Sequence, residues 1–483
     1  MIVKDKNDFY ANRYMRHNKV TGSFTLYSVH LPNGENVRFF VDAGIKQGED
    51  NIGFYNAFVP FNTEKISFGI LTHAHMDHIG MLPVLAHQGL NCPVFTSYST
   101  DDLMGIALND TVTIQDKDLG RPIASEDDME RALDLIIGTS YKKQVKPHKN
   151  IRIVFYSNGH LVGAAVVFIV ITYPGREPIT ILHTGDYKDK NVFFNVETPP
   201  KEVRELNISN IVCESTYGGV DSTDPMFKKC LKNNTVEALN NGMTVIYPTF
   251  AQGRHQEALY NIKMWKDKGF IPEDTTIVVD GKSSQEYNMM YRYGDLGIKK
   301  IMKNFMPKGC MFIPRTKNKN MFRKQILKEN EPKIILAPGG MASYGPITSY
   351  IKYCISRDDV LIHSLGYCSP ESTMYKLLNT GDGESLMYQG EEVVKKCMVK
   401  QTSEMSSHAP RNVLLRFLLY FPNIASVSIN HGEPDVQRSF REYLLDYLGL
   451  PEDQITVAEP QFGVRIESCG ITDIFETHFE SVL

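Results

Sequence analysis

The chain has 483 residues, 42% of them hydrophobic and 22% charged, with a net charge of −4. That length exceeds what one compact core usually serves, so two domains of an ordinary soluble globular protein are expected. The negative balance excludes a molecule-wide basic field, so a nucleic acid would have to be held by a local patch.

No apolar run reaches the length of a membrane span, and the longest, residues 164–173, is strand-sized. The first eight residues lack the apolar core of a secretory signal, and the eight cysteines are scattered without a C-x-x-C pair. A cytoplasmic protein with reduced thiols is the expectation, with no membrane partner.

In chain order, residues 20–44 read as a β-hairpin whose second strand, Val37-Arg-Phe-Phe-Val, delivers Asp42 and then Gly44. Next comes Ile66-Ser-Phe-Gly-Ile-Leu-Thr-His73-Ala-His75-Met-Asp77-His78-Ile-Gly80. An apolar β run ends at Thr72, four metal-capable side chains follow within six residues, and a helical apolar pattern begins. Imidazole with carboxylate suits a borderline cation such as zinc, and His-x-His lets two rings of one short loop turn to a single ion. Asp77 and His78, opening the helix, are placed to reach a second ion beside the first. A lone histidine is more often a hydrogen-bonded core or surface residue. Four such groups in this order point to metal.

A short strand follows at residues 93–96. Residues 99–150 are polar and helix-like without a clean strand, and read as an insertion near the site rather than part of the core sheet. Strands at 151–156 and 164–173 flank Asn158-Gly-His160, another at 178–183 ends in Thr184-Gly-Asp186, and another at 208–213 ends in Glu214-Ser-Thr-Tyr-Gly. Polar groups just past apolar strands build a site when the strand ends share one edge.

After residue 220 helices alternate with strands at 243–249, 275–280, 333–337 and 359–363, the pattern of a parallel sheet. Eleven Lys and Arg residues from Lys299 to Lys333 face only Glu329 and Glu331, and read equally as a phosphate-binding patch or a solvated helix face. Site chemistry returns at Glu404-Met-Ser-Ser-His408 and Asn430-His431-Gly-Glu. The first domain is therefore expected to be split, with residues 1–215 and 401–483 forming it and residues 216–400 inserted. Taken singly, Glu214 also reads as a helix cap, Asp42 as turn chemistry and His408 as a surface residue. His183, His255 and His363 lie near these stretches and read as structural.

Assembled, the residues resemble the metallo-β-lactamase superfamily and, within it, the β-CASP nucleases. His73-Ala-His75-Met-Asp77-His78 is similar to the H-x-H-x-D-H motif, Asp42 to the first-strand aspartate, and Gly159-His160 and Gly185-Asp186 to the third and fourth motifs. Glu214, His408 and His431 resemble β-CASP motifs A, B and C. Phe250-Ala-Gln-Gly-Arg-His-Gln-Glu257, Ala337-Pro-Gly-Gly-Met341 and Gly366-Tyr-Cys368 resemble further stretches of that domain. Two departures, Ser372 after Glu371 where the family has glycine and Pro410 after Ala409 where it has aspartate, bear on substrate choice.

The resemblance implies an α/β fold, an αββα sandwich with an inserted parallel α/β domain. It implies a metal-dependent phosphodiesterase, a ribonuclease cutting RNA internally and able to act 5′ to 3′, with RNA in the cleft between the domains and a homodimer left open. Two zinc ions, or manganese in their place, would be held by His73, His75 and His160 on one side and Asp77, His78 and His431 on the other, with Asp186 between. His408 oriented by Glu214 would act as the acid, Asp77 would take part in catalysis as well as metal binding, and Asp42 would stand behind a ligand histidine. Two alternatives remain, a hydrolase of small phosphodiesters, lactones or thioesters and a non-cutting scaffold subunit. The inserted domain and the complete ligand set speak for the RNA enzyme.

Overall fold

A computed structural model describes residues 9–17, 19–46, 52–119, 124–329 and 331–477. The segment read above as lacking a secretory signal lies outside them. The chain divides into two compact units, one built from residues up to Ser222 and from His408 on, the other from Thr223–Ser407.

The first unit is a sandwich of two sheets. One runs, edge to edge, Gly470–Glu476, Phe462–Glu467, Tyr10–Met15, Thr25–His30, Asn36–Val41, Phe68–Ile70, Val94–Ser97 and Ile136–Thr139. The other runs Ile455–Val457, Val427–Asn430, Asn210–Glu214, Ile179–His183, Ala165–Ile171, Ile151–Ser157 and Gln144–His148. Between them Val29, Phe39 and Phe68 pack with Phe155, Val167 and Ile181. On the far side of the second sheet, Phe168, Leu182 and Ile211 are covered by Leu414, Phe417 and Leu418 of helix Arg411–Leu418 and by Phe440 and Leu444 of helix Pro434–Leu448. The strand Ala165–Ile171 reads as an unbroken apolar run because both of its faces are covered. Helices Leu82–His87, Tyr98–Leu119 and Glu126–Asp134 accompany the first sheet. This is the αββα arrangement.

Strand direction places the site. Asn36–Val41, Phe68–Ile70 and Val94–Ser97 are parallel, so Asp42 and Thr72 emerge side by side. In the second sheet, Ile179–His183, Asn210–Glu214 and Val427–Asn430 are parallel and release Asp186, Glu214 and His431 at one edge. Ile151–Ser157 runs the same way, through its antiparallel neighbour, and leads to His160.

The second unit holds a parallel sheet in the order Cys310–Phe312, Thr276–Val279, Lys333–Pro338, Thr244–Thr249, Val360–Ser364 and Met398–Gln401. Its core joins Ile246, Val278, Ile335 and Ile362 to Ile347, Tyr350 and Ile351 of helix Ile347–Cys354. Ser372, the residue in the glycine position, caps helix Thr373–Leu378 by accepting the Tyr375 N–H. The basic run is not one surface: Arg323 is buried against Asp280 at 2.6 Å, and Lys333 is buried with its ammonium on the Ile326 and Glu329 carbonyls.

The expectation for residues 99–150 needs correction. They contribute an edge strand to each sheet, Ile136–Thr139 and Gln144–His148, both short and partly exposed, so neither carries the apolar signature of a core strand. Strand Tyr10–Met15 went unread because Asn12 and Arg13 interrupt it, although Arg13 is buried opposite Tyr27. Among the described residues no helix is long and apolar enough to cross a membrane.

Gly44 shows how tightly the site's first loop is fitted. A Cβ there would fall 1.6 Å from the Asp77 carbonyl oxygen, so the two backbones touch directly. Gly44→Ala is expected to cost about 1–3 kcal/mol, as overpacking does, and to weaken metal binding by displacing Asp77. Denaturant unfolding and a zinc titration check this, and a variant identical to wild type in both would contradict it.

Candidate metal centre

All ten residues singled out in the sequence for chemistry lie in the first unit. His73 comes three residues after the strand Phe68–Ile70, just past Thr72, and His75 precedes the short helix Met76–Ile79 that carries Asp77 and His78. The loop is fixed by main-chain bonds, Ser23 N–H to Asp77 O at 2.9 Å and Ala43 N–H to His78 O at 2.6 Å. Asp186 reaches the same place because Gly185 adopts φ +53°, in a position where a Cβ would meet Thr72 at 2.9 Å. Asp42 and His431 are themselves left-handed, at φ 59° and 50°, strain of the kind that clusters at functional sites.

The side chains form three overlapping groups that could each hold an ion: His73, His75, His160 and Asp186; Asp77, His78 and His431; and Asp186, His408 and His431. His160 Nε2 is 3.1 Å from His75 Nδ1, and His78 Nε2 is 3.3 Å from His431 Nε2. Asp186 stands between. Its Oδ2 is 3.5 Å from both His73 Nε2 and His160 Nε2, while its Oδ1 is 3.3 Å from His78 Nε2 and 3.4 Å from His431 Nδ1. Asp77 Oδ2 lies 3.6 Å from His431 Nε2.

The donor set fits divalent ions. Among the described residues His73 Nε2 and Asp186 Oδ1 are buried with no hydrogen-bond partner, which costs about 1–3 kcal/mol per group unless something else satisfies them. Burial holds the His73 imidazole well below its ordinary pKa and pushes His75 down to about 4, so both present neutral nitrogen. For Asp186 burial works the other way, but the surrounding His431, His78, His408 and His73 outweigh it and hold the carboxyl well below its usual range. At His78 burial is outweighed by the Asp186 and Asp42 carboxylates, which raise it well above the ordinary value. That position bears the demand for positive charge that the carboxylates create.

Around this set, Asp42 Oδ2 is 2.8 Å from His78 Nδ1, and Asp42 Oδ1 accepts the Thr72 N–H at 2.8 Å. Glu214, 1% exposed, places Oε2 2.9 Å from His408 Nδ1 and accepts the Tyr187 and Thr216 N–H groups. His408 Nε2 is 3.9 Å from Asp186 Oδ2. His183, buried, meets the Tyr27 hydroxyl at 2.7 Å, His255 meets Thr249 Oγ1 at 3.0 Å, and His363 meets Asn234 at 3.0 Å. None belongs to a metal-capable group among the described residues.

Three residues of the site went unread in the sequence. Asn158 binds the Thr184 and Asp186 carbonyls and accepts the His160 N–H, tying two strand ends together. Thr72 and Thr216 face ligand-type histidines, and their only sequence signal is adjacency to a motif residue.

Ions held by groups this buried must stabilise the fold by mass action. Chelator treatment is expected to lower the melting temperature, and added zinc to restore it. An unchanged melt, with the metal shown to be gone, would contradict this.

Comparison with known proteins agrees with the geometry. Residues 31–189 match the metallo-beta-lactamase superfamily domain, residues 255–377 the Beta-Casp domain, and residues 392–454 the Zn-dependent metallo-hydrolase RNA specificity domain. An RNase J-like protein of Methanocaldococcus jannaschii is 28% identical over 390 residues, covering 79% of this chain and 85% of the relative. Ribonuclease TTHA0252 of Thermus thermophilus is 27% identical, covering 86% and 91%. Transcription termination factor FttA of Pyrococcus abyssi is 28% identical over 76% of this chain, which spans only 57% of that factor's length. With the three domains in family order and the metal-capable groups at the strand ends, the chain belongs to the β-CASP metallo-hydrolases of the metallo-β-lactamase superfamily.

Proposed function

We propose that the chain is a zinc-dependent ribonuclease that hydrolyses phosphodiester bonds within RNA and can also act from a 5′ end, in the cytoplasm. The observation that carries this reading is the His408–Glu214 pair beside Asp186, a proton donor set against a group that could hold two ions. The RNA specificity domain and the ribonuclease names of two relatives support RNA as the substrate.

In this reading His73, His75 and His160 would hold one zinc and Asp77, His78 and His431 the other, with Asp186 shared between them; manganese could serve in the same places. When bound, such a pair supplies Lewis acidity for water activation and charge for the attacked phosphorus. Asp77 then serves catalysis through the ion it helps hold. His408 supplies the proton for the leaving oxygen. Its Nδ1 is committed to Glu214, so Nε2, on the Asp186 side, carries the transferable proton. Glu214, held by two main-chain N–H groups, keeps that ring in one orientation. Asp42 fixes His78 through Nδ1.

Two substitutions separate these roles. Asp186→Ala is expected to lose both metals and activity, and full zinc content in that variant would overturn the bridging assignment. His408→Ala is expected to keep both zincs while the rate falls by about 10²–10⁴-fold, the usual worth of a positioned acid. Loss of metal in that variant would make His408 a ligand instead.

The reading itself is tested with internally labelled RNA bearing a 5′ triphosphate or a 5′ monophosphate. Discrete internal fragments from both are expected. A zinc-loaded chain that leaves RNA intact and hydrolyses bis-p-nitrophenyl phosphate would return it to the small-substrate hydrolases.

A further inference from the structure

A histidine offers one ring nitrogen to a metal only when the other carries the proton, so the group facing the second nitrogen decides whether the ligand is available. For His78 that group is the Asp42 carboxylate. For two other histidines it is a threonine hydroxyl.

Thr72 is 1% exposed. Its Oγ1 lies 3.0 and 2.9 Å from the two Asp42 oxygens and 3.0 Å from His73 Nδ1. A hydroxyl has one proton and a carboxylate can only accept, so that proton goes to Asp42. The hydroxyl then meets His73 with lone pairs alone, and His73 Nδ1 must be the donor. This leaves Nε2 unprotonated, and Nε2 is the buried atom without a hydrogen-bond partner, 3.5 Å from Asp186.

The same count holds on the other side. Thr216, 4% exposed, places Oγ1 3.3 Å from the His431 carbonyl oxygen and 3.2 Å from His431 Nδ1. The carbonyl accepts the hydroxyl proton, Nδ1–H donates back with Asp186 Oδ1 3.4 Å from the same nitrogen, and Nε2 is left facing Asp77 and His78. One hydroxyl thus serves each of the two ligand groups of that reading, and Thr72 joins its group to the carboxylate that orients His78 in the other.

We propose that Thr72 and Thr216 are positioning residues that fix His73 and His431 as their Nδ1–H tautomers, one in each group, so that Nε2 is presented to metal. This rests on the reading of both histidines as ligands.

The test uses the metal-free full chain labelled with ¹⁵N-histidine, whose two-bond ¹H–¹⁵N spectrum distinguishes the tautomers. Nδ1–H is expected for His73 and His431. In Thr72→Val, zinc affinity of the first group should fall about 10–100-fold, with recovery in Thr72→Ser; Thr216→Val should weaken the second group instead. An Nε2–H tautomer in the wild type would overturn the proposal without reference to any variant, which covers the case in which a valine variant fails to fold. Wild-type zinc affinity in both valine variants would overturn it as well. If the wild type shows the Nδ1–H tautomers but binds no zinc, the ligand reading fails, and with it the purpose given to the hydroxyls.

Discussion

The centre depends on one buried carboxylate facing two ways. Asp186 directs Oδ2 at His73 and His160 and Oδ1 at His78 and His431, with 2% of the residue exposed. A carboxylate so far from water is costly unless positive charge or strong donors surround it. Imidazoles supply part of that, and their own second nitrogens are held by Asp42, Thr72 and Thr216. The fold serves this arrangement by bringing the carboxyl-terminal ends of strands from two sheets to one edge, so that residues from Asp42 to His431 meet within a few ångströms. Two of those residues sit in left-handed backbone that only the surrounding packing sustains.

In the proposed reading the same geometry separates holding from reacting. His408 lies beside Asp186, yet its Nδ1 is bound to Glu214 rather than to a hydroxyl or to Asp42. His73, faced by a hydroxyl and buried, is driven towards the neutral form. In the proposed reading the partner behind each ring differs: Glu214 for His408, Asp42 for His78, and threonine hydroxyls for His73 and His431.

Much of the site was legible because its signals are dense. Four metal-capable side chains between a β run and a helix leave few readings, Asp186 and His431 follow an apolar strand by one to a few residues, and Glu214 ends one. The core strands were legible for the same reason, being covered on both faces. What escaped lacked such contrast. Gln144–His148 is short and half exposed at a sheet edge, and Tyr10–Met15 hides a buried arginine in a strand whose partners lie at both ends of the chain. The lysine-rich run looked like one surface, but tertiary packing withdrew Arg323 and Lys333 into the interior. Thr72 and Thr216 act through single hydroxyls, which no spacing rule reveals.

The most direct measurement is anomalous diffraction at the zinc edge from crystals of the zinc-loaded chain. The account predicts two peaks, about 3.5–4 Å apart as in other paired-metal centres, one among His73, His75 and His160 and one among Asp77, His78 and His431, each within bonding distance of a different Asp186 oxygen. A single peak, or a zinc held by His408, would contradict it.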